Sequence, residues 1–188
     1  MKADPIQNQK MTLVKNLLVS VAAACLLAGC ARTLPPVGTY TDMSGLRTDL
    51  LEGNRLPSPV NPPREIVWLN ASRIYKTPSD SVYYLEVEYM AKEESGLLDI
   101  PYGETLTLVL DGKPVKFTGN GSMNLRTASS KGTVLERALY QVNREDLQHI
   151  ASAKKVEVQI RGTKGLVVRE FDEENYKRFR LFVITYAG

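Results

Sequence analysis

Cysteine and histidine are scarce in this chain. Its 188 residues hold two cysteines, Cys25 and Cys30, and one histidine, His149. Nothing downstream of residue 30 can form a disulfide, present a reactive thiol or bind a metal through sulfur. Zinc draws on cysteine and imidazole ligands, so no metal is expected. Long apolar runs are lacking too. The run LLVSVAAACLL, residues 17–27, has eleven residues, whereas a bilayer-spanning helix needs about twenty. Charge of one sign is also missing: 24 basic residues face 21 acidic ones.

What the first thirty residues do contain is ordered. Lys2, Lys10 and Lys15 precede the apolar run, with Asp4 the only acid. A basic start, a short apolar core and then small residues are the layout of a secretory signal peptide. The lysines stay at the inner membrane face while the apolar core enters the bilayer. The run closes on Leu27-Ala28-Gly29-Cys30. This tetrapeptide resembles the lipobox of bacterial lipoproteins: leucine, two small residues, then cysteine. The resemblance covers residues 11–30 and concerns anchoring alone. It implies transfer of a diacylglyceryl group to the Cys30 sulfur, cleavage between Gly29 and Cys30, and acylation of the new amino terminus. Residues 1–29 are then the lipoprotein signal peptide. Several acyl chains hold a protein stably on a membrane where one chain does not. Ala31 and Arg32 follow, without the aspartate that retains enterobacterial members at the inner membrane. The resemblance therefore implies an outer-membrane anchor with the domain in the periplasm.

Removal of residues 1–29 takes away three lysines and one aspartate, leaving 21 basic against 20 acidic residues. Phosphate backbones are bound by concentrated positive charge, so nucleic acid is not an expected partner. The remaining 159 residues suit one domain plus an extension.

Residues 30–64 read as a lipidated, proline-rich tether. Six of the ten prolines (Pro35, Pro36, Pro57, Pro59, Pro62 and Pro63) fall there, and proline favours extended chain. Fully extended, such a tether reaches on the order of 100 Å. Within it, Met43, Leu46, Leu50 and Leu51 lie near helical spacing. A short amphipathic turn is expected there, docked on the domain in the first place and otherwise on a partner. The folded domain is expected over residues 65–188. Residues 64–77 and 81–91 read as a hairpin, the second arm placing Tyr83, Leu85, Val87 and Tyr89 on one face and Tyr84, Glu86, Glu88 and Met90 on the other. Asp111-Gly112 marks a second hairpin. Residues 133–142 lean toward strand. Asn143 and Asp172 are expected helix caps, with two strands between those helices. Val183, Ile184 and Thr185 leave a final strand open at the end of the last segment. The expected fold is α+β: a mainly antiparallel sheet with two helices packed on one face. A β-sandwich is the alternative.

No residue is assigned a catalytic role. His149 lies in an expected helix without a nucleophile motif beside it. Glu86 and Glu88 share a strand face, where ideal strand geometry would set their carboxylates about 7 Å apart, a spacing that solvated sheet faces also produce. The polar loop over residues 119–133 offers Asn120, Ser122, Asn124 and Arg126 as contacts to a ligand or partner. Trp68, Tyr75, Tyr83, Tyr84 and Tyr89 concentrate in the first two strands. They read first as core residues; those left off the core face, Trp68 and Tyr84 among them, could form a recognition surface.

These features lead to the expectation of a lipid-anchored protein with a non-enzymatic binding or assembly role in an envelope complex. A protein partner is expected, and no cofactor. Two other classes remain: binding of a glycan or lipid by the tyrosine-rich strands, or a hydrolase built on Glu86 and Glu88. In a bacterial host, Cys30→Ala is expected to abolish labelling by palmitate and to shift the full-length protein from the membrane to the soluble fraction. Equal labelling of both forms would contradict the anchor.

Overall fold

Period-two alternation in SVYYLEVEYMA sets the centre of the fold. The computed structural model describes residues 37–188 apart from 124, 130 and 131, so the expected signal peptide and Cys30 lie outside the described residues. Strands β4 (Glu65–Tyr75) and β5 (Val82–Lys92) pair antiparallel from Glu65↔Ala91 to Ile74↔Val82, joined by a 3-10 turn at Pro78–Asp80. In β5, Tyr83, Leu85, Val87, Tyr89 and Ala91 are buried, while Tyr84, Glu86, Glu88 and Met90 on the opposite face are only half-buried. One face is committed to the core and the other is not.

Among the described residues eleven strands form a single open antiparallel sheet with two helices, as the α+β reading expects. All the strands belong to that one sheet, so the fold is not a β-sandwich. The path runs β1 (Val37–Thr41), β2 (Arg47–Leu51), β4, β5, β9 (Thr133–Val142), β7 (Lys113–Gly119), β6 (Gly103–Leu110), β10 (Val156–Gly162) and β11 (Gly165–Glu170). The short β3 (Arg55–Leu56) pairs with β4, and β8 (Arg126–Ser129) with β9. Asp111 and Gly112 turn β6 into β7 with φ of 50° and 85°, the positive values a tight hairpin requires. Pro114, which has no N–H to donate, sits where β7 is paired with β6 alone.

The two helices pack on the core face. α1 (Arg144–Ser152) is capped by the Asn143 side chain, which accepts the Asp146 N–H at 2.7 Å. α2 (Glu173–Tyr186) is capped by Asp172, which accepts the Asn175 N–H at 2.9 Å. Leu147, Ile150, Phe179, Phe182 and Val183 enter one core with the inward sides of the strands. Burying each such side chain is worth about 1.5–3 kcal/mol. Val183, Ile184 and Thr185 are helical, not a final strand. The Thr185 hydroxyl donates to the Leu181 carbonyl at 2.7 Å, which leaves its polar group satisfied inside the helix.

The sheet begins at Val37, well before residue 65, and this corrects the expected 30–64 tether. Residues 37–56 supply β1, β2 and β3. The expected amphipathic turn is instead a hairpin. Asp42 accepts the N–H groups of Ser44 and Leu46, and Gly45 adopts φ 79° to close the turn. Leu51 and Leu56 are buried in the core, whereas Met43 projects fully into solvent. Asp49 is buried on the same face as Leu51, accepting from the Thr39 hydroxyl and from Arg73 Nε, both at 2.7 Å.

The sheet is open, and α2 is tied to the rest of the chain on two sides. At one side it follows β11, whose Arg169 pairs with Glu65 of β4. At the other, Asn175 Nδ2 donates to Asn54 Oδ1 and Arg55 O, and Arg178 donates to the carbonyls of Gly53 and Glu52. The Tyr186 carbonyl ends the helix on Arg73 and Tyr83. A chain beginning at residue 65 loses Glu52, Gly53, Asn54 and Arg55, the partners of Asn175 and Arg178. It is expected to show no cooperative thermal transition by circular dichroism, whereas a chain beginning at residue 35 melts cooperatively. Equal melting of the two would restore residues 37–56 to a tether.

Candidate functional site

Strand register assembles one cluster on the sheet face opposite the helices. Trp68 lies across from Glu88, and Glu88 from Arg137. In the next row Asn70 faces Glu86 and Glu86 faces Leu139; beyond it Ser72 faces Tyr84, which faces Gln141. Directly opposed residues share a face, so Trp68 and Tyr84 flank a carboxylate pair. Arg55 of β3 pairs with Trp68 and extends the row. At the other end, Ile66, Met90 and Leu135 make an apolar row. Four of the residues singled out in the sequence (Trp68, Tyr84, Glu86 and Glu88) are thus brought together.

The pair is tightly held. Arg137 Nε lies 3.5 Å from Glu86 Oε1 and 3.2 Å from Glu88 Oε1. The two carboxylate side chains are only 18% and 16% exposed, against 46% for Arg137. Burial, then the like charge of Glu88 and a hydrogen bond with it, push the Glu86 carboxyl up to about 7; Arg137 opposes this and Glu52 adds to it. One guanidinium cannot neutralise two desolvated carboxylates, so a proton does the rest. Near neutral pH the pair can therefore hold a proton or give it up.

The polar loop has a different role. Ser122 is fully buried, its hydroxyl hydrogen-bonded to the Glu136 carboxylate. Glu136 is itself fully buried and accepts the N–H groups of Ile100 at 2.6 Å and Asp99 at 3.0 Å. Arg126 pairs with Asp99, reaches Ser122 Oγ at 3.2 Å and lies 3.8 Å from Glu136. Thr163 donates to Asp99 at 2.8 Å, and this bond first, then Arg126, holds the Asp99 carboxyl below the usual carboxylate range. Ser122 and Arg126 therefore fasten two loops together and are occupied by protein groups. Asn120 is exposed on the same loop, its N–H donating to Leu139 O at 3.4 Å. Asn124 lies outside the described residues. Glu136, the centre of this clamp, was not singled out in the sequence. Its signal was there: it alternates with Val134, Ala138 and Tyr140 on the inward face of β9.

Beyond the Ile66–Met90 row the face opens into a groove of about 690 Å³, lined by residues including Pro62, Pro63, Ile66, Met90, Lys92 and Thr133. Neither Trp68 nor Tyr84 lines it. His149 is exposed on α1. Among the described residues no group of three histidine, cysteine, aspartate or glutamate side chains is placed to hold a metal. The chain matches no family model, and comparison with curated proteins and with solved structures finds no match.

The Glu86 carboxyl titrates at about 7 in the folded protein against 4.5 ordinarily. Between those values the folded state binds more protons than the unfolded one. Its contribution to stability is complete below about 4.5 and is lost as pH rises through 7. Relative to Glu86→Gln, the wild type is expected to lose on the order of 2 kcal/mol between mildly acidic and mildly alkaline pH in urea titrations. Parallel pH profiles for the two proteins would refute the assignment.

Proposed function

We propose that this chain is a lipid-anchored protein of the outer membrane, with its domain in the periplasm, and that it binds a protein partner through the open face of β4, β5 and β9. The observation that carries the binding role is the cluster of Trp68, Tyr84, Glu86, Glu88 and Arg137 on the face opposite the helices. Large aromatics around partly desolvated charges are the composition of binding hot spots. Two carboxylates against one guanidinium give the centre a negative balance once the shared proton leaves, which suits a basic group on the partner. The lipobox-like Leu27-Ala28-Gly29-Cys30 supports the location.

One observation favours a second reading. A carboxyl raised to about 7 beside another carboxylate is also what general acid catalysis uses. Hydrolysis of an envelope substrate that disappears in both Glu86→Gln and Glu88→Gln would favour that reading.

The binding role is tested by placing a photo-crosslinking side chain at Leu139, beside the pair, and at exposed Lys116 on β7 as control, in the full lipidated protein in native envelopes. A single partner captured in near-stoichiometric amount from Leu139 but not Lys116, and reduced by the Glu86→Gln, Glu88→Gln double variant, is expected. Equal capture from both positions, or none from Leu139, would refute it.

A further inference from the structure

α2 turns one ridge away from the core. Phe179, Phe182 and Val183 are buried on its inner side, and by helical spacing Lys177, Leu181 and Ile184 lie on the outer one. Leu181 is 46% exposed and Ile184 77%. Single exposed apolar residues need no explanation; the place of these two relative to the expected anchor does.

α2 lies along the strand by which the chain joins the sheet. Val37 pairs with Leu51, and the next carbonyls, of Glu52 and Gly53, accept from Arg178, one turn before Leu181. At the far end the Tyr186 hydroxyl is 3.3 Å from Thr39 Oγ1 of the same strand. Only residues 31–36 separate Cys30 from Val37, and seven peptide steps span at most about 25 Å. A domain of this size has a radius of gyration of roughly 15 Å. The link is therefore shorter than the domain is wide, and the surface around β1 stays close to the lipid that holds Cys30.

Resting on the lipid-anchor reading, we propose that the outer ridge of α2 docks on the phospholipid surface. Leu181 and Ile184 enter the boundary between headgroups and acyl chains, and exposed Lys177 faces anionic headgroups, the arrangement of an interfacial amphipathic helix. Glu173 and Glu174, exposed in the first turn, keep that end of the helix away, so contact falls on the C-terminal half. Because the helices and the Trp68–Tyr84 face lie on opposite sides of the sheet, this docking turns that face away from the bilayer.

The test uses the full lipidated protein in vesicles of phosphatidylethanolamine and phosphatidylglycerol. An environment-sensitive fluorophore is placed at Ile184→Cys, or at Leu139→Cys as control, and brominated lipid is the quencher. Quenching is expected to be several-fold stronger at residue 184 than at residue 139. Adding Leu181→Asp, an exposed and so structurally tolerated change, is expected to remove the difference while the protein still floats with the vesicles. Equal quenching at both positions in floating protein would overturn the docking and leave the anchor intact. Protection of residue 184 that depends on protein density and not on brominated lipid would overturn it in favour of a second copy or another protein on the ridge. Failure to float would overturn anchor and docking together.

Discussion

Asn54 is the joint on which three parts of this fold meet. Its N–H donates to the Asn70 side chain, its own amide donates to the Leu69 carbonyl, and its side-chain oxygen accepts from Asn175. Those bonds tie the β2–β3 connection to β4 and seat the first turn of α2 against both. All three asparagines are at most 2% exposed. In so dry a setting an amide left unpaired costs about 1–3 kcal/mol, so each partner fixes the position of the others. An open sheet has an inner face to cover. Here α1 and α2 share that face, and Asn54 fixes where α2 lands.

That arrangement explains why the two faces of β5 have such different fates. The inner residues meet the helices and vanish into the core. The outer ones lie beside their neighbours in adjacent strands, and there the carboxylates of Glu86 and Glu88 are buried most of the way without being fully neutralised. The polar loop shows the opposite case. Glu136 points inward, and the chain supplies it with two backbone N–H groups and the Ser122 hydroxyl, with Arg126 close by. Two buried acids within one sheet are thus treated differently: one is fully satisfied and structural, the other is left with a proton to exchange.

How much of this could be read beforehand follows from the range of the interactions. The alternation of β5, the Asp111-Gly112 turn and the caps Asn143 and Asp172 are local patterns, and they translate directly into structure. The meeting of Trp68 with Glu88 was half legible: alternation put both on outward faces, but only the register makes them neighbours and adds Arg137. Residues 37–56 were not legible as strands. The prolines on either side suggested extended linker, and two five-residue strands offer too few buried residues to advertise a face. Leu51 and Leu56 acquire their meaning from the edge of β4 and from α2, more than a hundred residues away in sequence. The role of Ser122 and Arg126 was hidden because it depends on a second loop, whose Asp99 and Ile100 meet them at Glu136.

A proton shared between Glu86 and Glu88 is a counter-ion that can be displaced. While it is bound, Arg137 and the pair come close to electrical balance on a face that is otherwise polar and aromatic. A cationic group arriving at the pair would take over its neutralising role and release it to solvent. Association at this face would then be an exchange of one positive charge for another, and its strength would depend on how much of the smaller one the surroundings supply.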